Sequence, residues 1–95
     1  MTHHLLAMPQ TCTWGYFDAS LPPCLEILSG ETVKVETVSG APEHLPPEGK
    51  GFDVPAELFD IHRECSAMLP GHILTGPIAV KSAAPGDVLQ VDILE

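Results

Sequence analysis

The sequence predicts a mainly β domain, a twisted sheet or partial β-sandwich carrying one short helix, on three observations. The run TCTWGYF, residues 11–17, is rich in β-branched and aromatic side chains that suit a pleated, half-buried surface. Two short runs, 24–28 and 32–38, are separated by Ser29-Gly30-Glu31, a spacing that predicts an antiparallel hairpin. From Gly71 to Ile93 two strand-like runs are linked through Thr75-Gly76-Pro77 and Ala84-Pro85-Gly86-Asp87, which reads as a hairpin or sheet corner.

Taken in order, His3 to Met8 suits a short edge strand that Pro9 ends, because proline lacks the donor a central strand needs. Thr11 to Phe17 reads as a strand with a bulge at Gly15. Leu21-Pro22-Pro23 is extended, since each proline turns the preceding residue away from helix. In the second arm of the predicted hairpin, Val33, Val35 and Thr37 fall on one face, expected to be core, with Lys34, Glu36 and Val38 on the other. The stretch 39–52, dense in proline and glycine, reads as a long loop.

One helix opens at Asp53 or Val54 with Pro55 at its first position, where the missing amide costs nothing, and it ends before Pro70. Leu58, Phe59, Ile61 and Cys65 form an imperfect apolar stripe, as a helix laid on a sheet requires. In Ala84-Pro85-Gly86-Asp87, proline presets φ near −65° and glycine accepts the positive φ of a type II turn. Beyond it, Val88 to Leu94 alternates apolar with polar side chains.

Ninety-five residues make one small domain with a marginal core, because a chain this short buries only about 60–65% of its unfolded surface. Four basic residues against 13 acidic give a net charge of −9, which argues against nucleic acid or an anionic membrane as a partner. Three cysteines, Cys12, Cys24 and Cys65, cannot all pair and form no Cys-x-x-Cys unit, so a reducing cytoplasm is the simpler setting. No basic, apolar leader opens the chain and no 18-residue apolar run crosses a membrane.

The strings HHLLAMPQTCTWGYFDASLPPCLEILSGETVKVETVSG, residues 3–40, and HILTGPIAVKSAAPGDVLQVDILE, residues 72–95, carry a resemblance. Together they resemble the N-terminal part of the acetamidase/formamidase family, enzymes that hydrolyse short linear amides and are several times longer. The resemblance implies a sandwich-like fold of which residues 1–95 are the N-terminal, incomplete portion. It also implies a small amide substrate such as formamide or acetamide, cleaved to carboxylate and ammonia. A divalent metal, with zinc the first choice, is implied as the group that polarises the carbonyl and activates water. The expected assembly is a homo-oligomer, or a chain completed by a missing C-terminal segment.

Amide hydrolysis needs an activated water, an oxyanion stabiliser and a proton donor for the departing amine. Glu36, Asp18 and His72 are the candidate catalytic residues, with His72 and Glu36 also the candidate metal ligands. His72 sits between Gly71 and the Thr-Gly-Pro turn, and the resembling formamidase-like members carry a histidine before a similar string. A loop histidine is equally a solvated structural residue. Glu36 lies at the end of an alternating strand, where glutamate is disfavoured unless exposed or functional, and a glutamate recurs there in the resembling family. Asp18 follows Trp14-Gly15-Tyr16-Phe17 and becomes a base if those aromatics desolvate it; otherwise it is a turn aspartate holding Ser20. Trp14 and Tyr16 either line a small-substrate pocket or fill the core.

The spacing of His62, Cys65 and His72 lacks a matched fourth ligand for zinc, and nothing near Cys65 suggests an activated thiol. Two other function classes stay open. The chain can be a non-catalytic assembly module that folds with a companion chain, or a metal-storage domain using its five histidines.

Overall fold

A computed structural model describes residues 1–47, 49–65 and 71–95, and its six short strands pair two by two. Strand β1 (Thr2–Leu5) runs parallel to β4 (Thr32–Val35), β2 (Cys12–Trp14) antiparallel to β5 (Ile73–Thr75), and β3 (Leu25–Ile27) parallel to β6 (Ile78–Val80). With one helix, α1 (Ala56–Glu64), the chain is mainly β as predicted, built from three ribbons in place of one continuous sheet. Its radius of gyration, 15.2 Å, exceeds the roughly 13 Å of a compact domain of about 100 residues.

The first strand is shorter than its sequence suggests because Thr11 folds the chain back. Its buried hydroxyl donates to Leu6 O at 2.6 Å and accepts the Met8 N–H at 3.0 Å, tying a 3-10 turn at Pro9–Thr11. Strand β2 likewise stops early. Gly15 has a φ of 91° and donates its N–H to His72 O, so Phe17 leaves the sheet and is 91% exposed.

The hairpin expected from 24–28 and 32–38 does not form. Its turn closes, with Glu31 N–H bonded to Leu28 O at 3.1 Å. The Glu31 carboxylate then takes the Leu28 N–H at 2.7 Å, occupying the donor beside that turn. Each arm finds a distant partner: Leu25 pairs with Ile78, and Val33 with His3. The expected faces hold at Val33 and Lys34 and reverse from Val35 onward. Val35 is 39% exposed and Thr37 exposed, whereas Glu36 is half-buried and Val38 packs against the core.

Proline 55 precedes the first helical residue, Ala56, and Glu57 brings an acidic side chain to the first turn, where the helix dipole favours it. Leu58 and Ile61 are buried, while Phe59 is 45% exposed, so the apolar stripe is narrower than predicted. The helix ends at Glu64; the expected limit at Pro70 lies outside the described residues. Leu58 and Ile61 pack with Ala7, Cys12, Trp14 and Ile73, which lays α1 on the β2–β5 ribbon. Val38, Ala41, Leu45, Val54 and Cys65 close the margin of this core, so the 39–52 loop covers it as well as connecting.

All three cysteines are free. No helix among the described residues is long and apolar enough to cross a membrane.

Glu31 also joins β1 to the β3–β4 turn. His3 Nε2–H donates to Oε1 at 3.1 Å, and the Met1 ammonium lies 3.9 Å from Oε2. The Leu28 N–H, then His3, hold this carboxyl below its ordinary value of 4.5. A carboxyl depressed on folding contributes stability above its unfolded value and loses it as pH falls through the folded one. The wild-type chain should therefore lose more stability than Glu31→Gln on titration from about pH 5 to pH 3. Parallel acid-unfolding curves for the two proteins would remove Glu31 as the cause.

The Ala84–Asp87 turn forms as predicted. Gly86 has a φ of 96°, Asp87 N–H bonds Ala84 O at 3.1 Å, and Asp87 Oδ2 takes the Ala84 N–H at 2.9 Å. The alternating run after it does not become a strand. Val88 to Leu94 has no ladder partner among the described residues, and Val88, Leu89, Val91, Ile93 and Leu94 are 70–93% exposed.

Candidate functional site

The parallel pairing of β1 with β4 decides what surrounds Glu36. Thr2 aligns with Thr32 and Leu5 with Val35, so the residue after β4 continues the ladder, Glu36 N–H bonding Leu5 O at 2.9 Å. The carboxylate then turns toward the N-terminal strand. Oε2 accepts from His4 Nε2 at 3.0 Å, and Oε1 accepts the Ala7 N–H at 3.4 Å. On its other side the Glu36 carbonyl accepts the Thr75 hydroxyl at 2.8 Å, which fastens β4 to the end of β5.

Glu36, Thr37 and Val38 form one wall of an open cleft of about 330 Å³, and Pro55 and Glu57 form the other. Its volume is at the low end of ligand pockets, which run from about 300 Å³ upward, and is ample for an amide of a few heavy atoms. Glu36 and Glu57 are the acidic residues on its two walls. Chemically, such a cleft can accept hydrogen bonds from an amide NH₂ and take a proton from water.

His72 is exposed and stands just before β5, its carbonyl accepting the Gly15 N–H at 2.9 Å. Thr75, the residue bonded to Glu36, is at the opposite end of that strand, about 10 Å away at roughly 3.3 Å per residue. The two expected metal ligands therefore do not converge. Glu36 is already held by His4 and Ala7, and no three His, Cys, Asp or Glu side chains among the described residues could hold a metal together. The described residues do not by themselves make up a metal site, so no step is derived through a metal.

Asp18 occupies an exposed turn. Its Oδ1 accepts both the Ser20 N–H at 2.8 Å and the Ser20 hydroxyl at 2.7 Å. These bonds, the hydroxyl first, lower its pKa, the reverse of the rise that desolvation by the aromatics would cause. The aromatics have gone elsewhere: Trp14 is buried, and its Nε1–H donates to Gly71 O at 3.2 Å. Its ring stacks on His62 with centroids 5.5 Å apart, and His62 Nε2–H donates to Gly40 O at 2.7 Å. Trp14 thus belongs to the core, and His62, on α1, ties that core to the covering loop at Gly40. Burial pushes the Cys65 thiol up, helped by Cys12 and Glu64, so this thiol is not activated.

Sequence reasoning missed His4, Glu57 and Thr75. His4 lies 32 positions from Glu36, and only the parallel ladder makes them neighbours. A His-His pair ahead of an alternating run was the available signal for His4; Glu57 had none beyond its acidic place in the first helical turn.

No curated protein and no solved structure matches this chain. The profile of the Acetamidase/Formamidase family matches residues 7–95. That span holds β2 to β6, α1 and the entire cleft beside Glu36, and by it the chain belongs to the acetamidase/formamidase family.

Proposed function

We propose that this chain acts in the hydrolysis of short linear amides, R–CO–NH₂ plus water giving a carboxylate and ammonia, with formamide and acetamide as the substrate class. The family match over residues 7–95 carries this reading. Within it, Glu36 is the general base: its carboxylate accepts a proton from the attacking water while the His4 and Ala7 N–H groups fix its orientation. Glu57, on the opposite wall, accepts from the amide NH₂. Asp18 and His72 are the remaining candidates, at positions away from the Glu36 carboxylate, and they enter as variants.

A second reading, a non-catalytic module that works with a companion chain, is favoured by the exposed apolar run at its C-terminal end. One assay separates the two: ammonia release from formamide and acetamide by the purified, folded chain, with and without added zinc. Turnover of both amides supports the enzyme. A chain that melts cooperatively yet releases no ammonia in any arm removes catalysis from these residues and leaves the module.

A further inference from the structure

Residues 88–94, Val-Leu-Gln-Val-Asp-Ile-Leu, carry five large apolar side chains that are all 70% exposed or more. No backbone hydrogen bond among the described residues involves this segment, so its amides and carbonyls are free to enter a ladder. A β-prone run presenting both unpaired backbone and apolar side chains is a template for strand addition. What selects its partner is its symmetry. Read from Val91 outward, the run is polar, apolar, apolar in both directions.

We propose that residues 88–94 pair antiparallel with the same residues of a second copy, about a two-fold axis through Val91. In this register Val91 faces Val91, Leu89 faces Ile93, and Val88 faces Leu94. Gln90 faces Asp92 twice, an amide donor opposite a carboxylate acceptor. Those two side chains are already 3.2 Å apart within one copy, so the exchange keeps the type of bond and changes its partner. Leu89, Val91 and Ile93 then form a wholly apolar face, since alternate residues share a face.

Other registers are worse. A shift by one residue sets apolar side chains against Gln90 and Asp92. Centring the pair on Asp92, or running the copies parallel in register, brings two aspartates opposite each other, which is destabilising. An interface in which residue i meets j while j meets i is the isologous arrangement of two-fold dimers. The net charge of −9 on each copy, and Asp87 opposite Glu95 at the ribbon ends, oppose association at low salt, so the pairing is measured at physiological ionic strength.

The test is sedimentation equilibrium of the full chain over a concentration series. The mass should rise from 10.1 kDa toward twice that value, and Val91→Lys, which sets two ammonium groups across the axis, should hold it at 10.1 kDa. Val91 is 70% exposed, so this variant should keep the wild-type far-ultraviolet circular dichroism. Register is read by cysteine trapping with oxidised glutathione in a Cys24→Ser background, which removes the exposed native thiol. Two facing thiols lose two protons and two electrons to the glutathione disulfide, which becomes two thiols. Val91→Cys should form a covalent dimer and Leu89→Cys, which faces Ile93, should not. A mass of 10.1 kDa at every concentration, a Val91→Lys chain that still dimerises, or equal trapping at both positions overturns the proposal. None of these readouts depends on amide turnover.

Discussion

Replacing Trp14 with alanine should unfold this chain at or near room temperature. Trp14 is the only tryptophan, is 8% exposed, and stands at the meeting point of β2, β5 and α1, in one cluster with Leu58, Ile61 and Ile73. Truncating a buried tryptophan costs about 3–5 kcal/mol, the lost transfer energy plus the cavity left behind. Domains of this size have only about 5–15 kcal/mol in total, and a core with seven buried apolar residues among those described belongs at the low end. The melting midpoint should fall by at least ~12 °C, at roughly 4–8 °C per kcal/mol for chains of this length.

Trp14→Phe is the informative companion. It keeps most of the apolar volume and the stack on His62 but removes the Nε1–H donated to Gly71 O, so it should cost about 1 kcal/mol. Thermal melts followed by far-ultraviolet circular dichroism measure both variants. A Trp14→Ala protein melting within a few degrees of wild type would show that the β2–β5–α1 cluster is not what holds the chain together.

The second large effect concerns chemistry. Under the amide-hydrolysis reading, Glu36→Gln should reduce ammonia release by about 10²–10⁴-fold, the usual contribution of a general base. Glutamine keeps the length of the side chain, and its carbonyl can still accept the N–H of His4 or Ala7, so folding should be little changed. That separates lost chemistry from lost structure, which Glu36→Ala does not. His72→Ala, at the exposed far end of β5, should change the rate by no more than a few-fold. If His72→Ala abolishes turnover and Glu36→Gln leaves it intact, the reacting centre lies at the Gly71–Ile73 corner and the Glu36 cleft is not the site.

Local chemistry was legible wherever a few adjacent residues settle their own backbone. Pro85-Gly86 dictated its turn, Pro55 marked the start of α1, and Asp18 and Ser20 close on each other without help from any other element. Family membership was legible too, because it rests on the linear order of residues. The candidate site was legible only in part: Glu36 could be singled out, but its partners could not.

The amino-acid sequence by itself determined the mainly β class, the single short helix, the acidic character and the family. Tertiary structure alone decided which strands meet. A three-residue turn signal favours a hairpin, but parallel pairing joins strands about 30 residues apart for β1 and β4 and about 50 for β3 and β6, and no local pattern encodes it. Those pairings turned Val35 outward and Val38 inward, brought His4 onto Glu36, and left residues 88–94 without a partner among the described residues. The physical reason is that a strand's side-chain period specifies two faces, while its neighbour and the face that is buried are set by contacts made across the whole chain.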